Sequence, residues 1–189
     1  VREVVTAEYP TPPDRAFTVL ARRCTGGNPA VLRATLAGLD RAVPPTAAAV
    51  PELVRRAATA RRDHVARVLD GLPPALVEAL RAAAVCGSEL QPVRHRVGGP
   101  VASTGAGARA ALAATGLVRG TDHALPADRS VTDVVLAGIE PGHRRALFGS
   151  AAGLAARAGL PEERIARALL DAPALGEPWA AELLHRVAV

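Results

Sequence analysis

At 189 residues the chain is long enough for one sizeable domain or two small ones, and 49% hydrophobic with 22% charged residues excludes a disordered chain. The formal charge of +5 comes from arginines interleaved with Asp and Glu, which read as solvated helix faces before they read as a phosphate-binding surface. No apolar run approaches the roughly 20 residues that would span a bilayer.

The aromatic complement is Tyr9, Phe17, Phe148 and Trp179, so the core must be built from Ala, Leu and Val in closely packed helices, and a β-sandwich is disfavoured. All 23 basic residues are arginine and methionine is absent, the composition of a GC-rich genome. Cys24 and Cys86 are too few and too distant for a disulfide framework, which fits a reducing cytoplasm. Val1 in the place of an initiator Met reads as a fragment of a longer protein before it reads as a GTG start translated literally.

In chain order, residues 1–11 carry no helical period and are expected to be extended. Asp14 is placed to cap a helix with the stripe Phe17, Leu20, Ala21 and Cys24, which Gly26-Gly27 ends. Asn28 then caps, and Pro29 begins, a second helix through Leu32, Leu36 and Leu39. After the break at Pro44-Pro45, helices are expected over 51–72 and 75–85, the latter opened by Pro73-Pro74 and closed by Gly87.

A short helix around Leu90 to Val97, a helix over Ala108 to Ala114, the run Gly116 to Gly120, a turn at Thr121-Asp122 and a return through His123 to Leu125 have the order of a winged helix with a minimal wing. Ser130 is placed to cap a helix to Ile139, Pro141 and Pro161 open two more, and Trp179, Leu183 and Val187 line a last one. Helices joined by such short turns read as antiparallel hairpins of a repeat-like arm.

Catalytic signatures are missing from this sequence. Without a Lys the chain cannot complete a phosphate-binding P-loop. Gly105-Ala106-Gly107-Ala108-Arg109-Ala110 matches GxGxxA, but no βαβ pattern surrounds it, and it reads as a lead-in to a helix. The histidines His64, His95, His123, His143 and His185 and the two cysteines lack metal-ligand spacing, and no GxSxG elbow occurs. The chain is therefore expected to be no enzyme and to hold no metal.

Five collinear strings carry a resemblance: Thr25-Gly26-Gly27-Asn28-Pro29 with Leu32; Leu72-Pro73-Pro74 with Arg81 to Val85; Ala111 to Val118; Asp133 to Arg144; and Leu160 to Leu170 with Glu177-Pro178-Trp179. Together they resemble the stretch after the nucleotide-binding core of large ATP-binding LuxR-type (STAND ATPase) transcriptional regulators, known for controlling secondary metabolism. The resemblance implies a mainly α fold with at most a small β-hairpin: a helical lid over 12–60, a winged-helix domain over 61–139 and a helical arm over 140–189.

It further implies that Gly27, Asn28 and Pro29 contact adenine, but only where a P-loop core holds the phosphates. The chain alone would then bind no cofactor, and ATP or ADP would enter only through that core. The same three residues read equally well as a plain helix corner. The family's FxHP histidine, which reaches a nucleotide phosphate, is matched here by Asp128 in Leu125-Pro126-Ala127-Asp128, an acidic group that would repel phosphate. The implied role is non-catalytic signal transduction, coupling nucleotide state to assembly or DNA binding, with the ATPase core and DNA-binding domain of a full-length regulator as partners, together with self-association. The alternative is a stand-alone winged-helix DNA-binding protein contacting phosphates through Arg94, Arg96, Arg109 and Arg119.

Overall fold

The computed structural model describes residues 1–97, 106–119 and 125–188, without the side chains of Ala106, Ala108 and Arg109. The described residues are mainly helical, with a single two-stranded sheet among them, and no helix among them is long and apolar enough to cross a membrane. The chain divides into two compact units, Val1–Val68 and Leu69–Val189.

The first unit opens with α1 (Arg2–Glu8), where an extended segment was expected. The three prolines of this region, Pro10, Pro12 and Pro13, all follow the helix, so none interrupts it. Val5 and Tyr9 are one turn apart, and both are buried with Phe17, Ala21, Leu32, Leu36 and Leu53. A seven-residue helix is marginal by itself, so burial against the rest of the unit stabilises it.

Helix α2 (Arg15–Cys24) starts where Asp14 accepts the Phe17 N–H at 2.7 Å. The other carboxylate oxygen of Asp14 accepts from Ala47 N at 2.9 Å, and Asp14 N donates to Pro45 O, tying the start of α2 to the Pro44–Ala47 turn. Helix α3 (Pro29–Ala37) has Pro29 in its first turn and buries Leu32, Thr35 and Leu36. Helix α4 (Val50–Asp70) buries Leu53, Ala57, Ala60 and Val65.

In the second unit α5 (Pro74–Cys86) buries Ala82, Ala83 and Ala84, and α8 (Pro141–Arg157) buries Ala151, Ala152 and Ala155. Such small side chains let helices approach closely, which compensates for the shortage of aromatics. Phe148, Leu147, Ile165, Leu169 and Leu183 fill the space between α8, α9 (Glu162–Leu170) and α10 (Pro178–Ala188). The expected short helix near Leu90 is a 3₁₀ turn over Gln91–Arg96.

Helix α6 (Ala106–Ala114) packs beside β1 (Val118–Arg119), which pairs antiparallel with β2 (Leu125–Pro126) in the register Val118 to Pro126 and Arg119 to Leu125. The expected turn Thr121-Asp122 and residues His123 and Ala124 lie outside the described residues, as does Gly105 of the GxGxxA string. Helix α7 (Arg129–Ala137) is capped by Asp128, whose Oδ1 accepts from Val131 N at 3.2 Å. Ser130 was the expected cap; both residues are good caps, and the helix takes the earlier start.

Gly87 ends α5 at φ 50° and ψ −147°, a backbone state that glycine alone adopts without strain. A Cβ there would meet nothing within 4 Å, so the backbone alone makes the demand. Gly87→Ala should lower unfolding free energy by about 1–3 kcal/mol in urea titration; an unchanged midpoint would show that this turn tolerates an L side chain.

Candidate functional site

The three expected nucleotide-contact residues are consecutive at the corner between α2 and α3. The chain reverses there through Gly26 (φ 61°) and Gly27 (φ 73°), both in the left-handed region open to glycine. The hydrogen-bond inventory of the corner is closed. Gly27 N donates to Arg22 O at 3.0 Å, Asn28 N to Thr25 O at 3.1 Å, and Leu32 N to Asn28 O at 2.9 Å. Ala30 N and Val31 N both donate to Asn28 Oδ1, at 2.9 and 3.2 Å.

Pro29 has no N–H, so every backbone donor of this helix start is already engaged. An anion would find no amide to bind. What the corner does present is Gly27 and the Pro29 ring, both exposed, with open space above the Gly27 Cα. Chemically this is a small, non-polar, rigid surface suited to packing against a flat partner.

The corner is held to α4 by contacts the sequence does not announce. Asn28 Nδ2 lies 3.1 Å from His64 Nε2. Because Oδ1 is committed to the two capping bonds, the amide orientation is fixed and Nδ2 must be the donor. His64 Nε2 is then the acceptor, so the imidazole is neutral and carries its proton on Nδ1. Burial lowers the His64 pKa, and the nearby charges of Arg67 and Arg61 lower it further. Arg61 lies over Gly26, where a Cβ would stand 2.5 Å from its guanidinium. Burial lowers the Arg61 pKa also.

The four arginines of the DNA-binding alternative are spread over three elements of the second unit. Arg94 and Arg96 sit on the 3₁₀ turn, the first half-buried and engaged with a partner, the second exposed. Arg119 is exposed on β1, and the Arg109 side chain lies outside the described residues.

A groove of about 570 Å³ opens in the second unit between the end of α5 and helices α7, α8 and α9, over Cys86, Leu136 and Phe148, with Arg129, Arg144 and Asp133 at its rim. Burial pushes the Cys86 thiol up to about 12, so it is no nucleophile near neutral pH. Glu89, also on the groove, has Arg164 and Arg167 at 3.8 and 3.7 Å. Among the described residues no three His, Cys, Asp or Glu side chains group as a metal site would require.

Comparison with family models, curated proteins and solved structures returns no match.

The His64 contact carries a pH dependence with a defined sign. A pKa depressed by folding means that the folded chain favours neutral His64, so its contribution is full above about 6.5 and is lost as pH falls below that value through the lower folded one. Thermal melts from pH 8 to pH 5 should show this fall, and His64→Gln, whose side-chain oxygen can accept from Asn28, should lack it. His64→Ala should cost about 1 kcal/mol at neutral pH. Parallel pH profiles for the native and Gln chains would exclude the contact as the cause.

Proposed function

We propose that the chain is a non-catalytic regulatory segment of a STAND-type transcriptional regulator, with residues 12–60 acting as a lid, 61–139 as a winged-helix domain and 140–189 as the start of a helical arm. The observation that carries this reading is the α2–α3 corner: Gly27 and Pro29 stand exposed while all its backbone donors are satisfied internally. A surface of that kind can pack on a purine held by a neighbouring P-loop core, and it leaves the phosphates to that core. The order α6, β1, β2, α7 supports the winged-helix part, being the order a short wing needs. In such a switch the nucleotide holds one arrangement of core and moving parts, and its loss releases another.

Charge distribution weakens the stand-alone DNA-binding alternative. Leu69–Val189, which holds Arg94, Arg96, Arg109 and Arg119, contains twelve arginines and twelve carboxylates. A balanced unit generates little long-range attraction for a polyanion.

The reading frame upstream of Val1 should encode a GxxxxGK[ST] core. In the protein translated from it, Pro29→Ala should weaken ADP retention roughly tenfold, about 1.4 kcal/mol, with helical content unchanged. A frame without that core, or ADP affinity indifferent to Pro29→Ala, would overturn the proposal.

A further inference from the structure

The groove between the end of α5 and helices α7, α8 and α9 is used by neither the lid nor the DNA-binding alternative. All its lining residues belong to the second unit, and its volume of about 570 Å³ lies in the range of small-molecule sites. Gly87 borders it, and a Cβ there would meet nothing within 4 Å, so that edge is left open.

Its lining is apolar at the bottom and charged around it. Phe148, Cys86 and Ala168 are buried core residues that also line the groove, and Leu136 on α7, packed against the same core, extends that surface. The Cys86 thiol, pushed up to about 12, serves here as a small apolar group.

The charged groups are accounted for in turn. Glu89 has Arg164 and Arg167 at 3.8 and 3.7 Å, and Asp133 has Arg129 at 4.0 Å. Asp171 is exposed to water at the end of α9, one turn from Arg167. Arg144 is different. It is half-buried on α8, and its guanidinium has no carboxylate or carbonyl of the described residues within ion-pair or hydrogen-bond distance. A cation that has given up part of its hydration without gaining a partner favours an anion supplied from outside.

The same inventory limits the anion. A nucleotide or nucleic-acid backbone would bring several negative charges toward Asp133 and Asp171, whereas one free guanidinium suits one. Arg144 and Phe148 are four residues apart on α8, which makes them neighbours on one helix face, with Cβ atoms about 5–6 Å apart. The anion should therefore carry an apolar body directly beside its charge.

We propose that this groove binds a small carboxylic acid with an apolar, flat or branched body, its carboxylate on Arg144 and its body over Phe148, Leu136 and Cys86. The site goes beyond the lid reading, since it lies in the second unit and requires neither a nucleotide nor an ATPase core.

Naphthalene-2-carboxylate, its neutral amide and 2-naphthylmethylamine share one apolar body and differ in charge. Titrated into the isotope-labelled chain and followed by amide NMR, the carboxylate should give saturable shifts at the groove residues of α5, α7, α8 and α9. It should bind at least about fivefold more tightly than the amide or the amine. Arg144→Gln should weaken the carboxylate about tenfold and leave the amide unchanged. Arg145→Gln, which removes an exposed arginine of α8 outside the groove, should bind as the native chain does. Absence of saturable shifts with the carboxylate, preference for the amine, a carboxylate preference that survives in Arg144→Gln, or an equal loss in Arg145→Gln would overturn the proposal. None of these outcomes bears on ADP retention by a longer protein, so the two proposals fail separately.

Discussion

One side-chain amide organises the first unit. Asn28 uses its oxygen to satisfy two N–H groups at the start of α3 and its nitrogen to reach His64 on α4, so two helices are joined through a single side chain. Each bond constrains the next: the cap fixes the amide, the amide fixes the tautomer of His64, and the neutral imidazole is tolerated between Arg61 and Arg67 where a cation would be repelled. The glycines before it are needed for the same reason, because the chain must turn through two left-handed residues to deliver Asn28 to that position.

Signals that act within a few residues were legible in the sequence. Asp14, Asn28-Pro29 and Pro141 mark helix starts through chemistry that concerns only the next turn, and Gly26-Gly27 and Gly87 mark ends in the same way. The α1 helix was not legible, because Val5 and Tyr9 make a single apolar repeat whose worth depends on partners supplied later in the chain. The cap of α7 was ambiguous locally, since Asp128 and Ser130 stand two residues apart and both residue types cap well. His64 could not have been singled out as a partner of Asn28, for 36 positions separate them and one histidine on a helix carries no directional signal.

The two units divide the chemistry unequally. The first holds the net positive charge and the glycine corner, while the second balances its charges and invests its small residues in close helix packing, with Ala82, Ala151 and Ala155 almost fully buried. In the second unit Glu162 is held low in pKa by its hydrogen bond with Arg186, and Glu140 by backbone N–H donors at the start of α8. Such groups secure helix ends and helix pairs, and they are occupied by that task.

The two cysteines differ in a way that equips the chain for spectroscopy. Cys86 is walled into the second core with its thiol held protonated, whereas Cys24 is only half-buried and ends α2 two residues before the glycine corner. Thiol-directed reagents should therefore discriminate between them without mutagenesis, because alkylation proceeds through the thiolate and needs access. A dye or spin label on Cys24 would sit at the end of α2, two residues before the glycine corner, and report on that corner from the unmodified sequence.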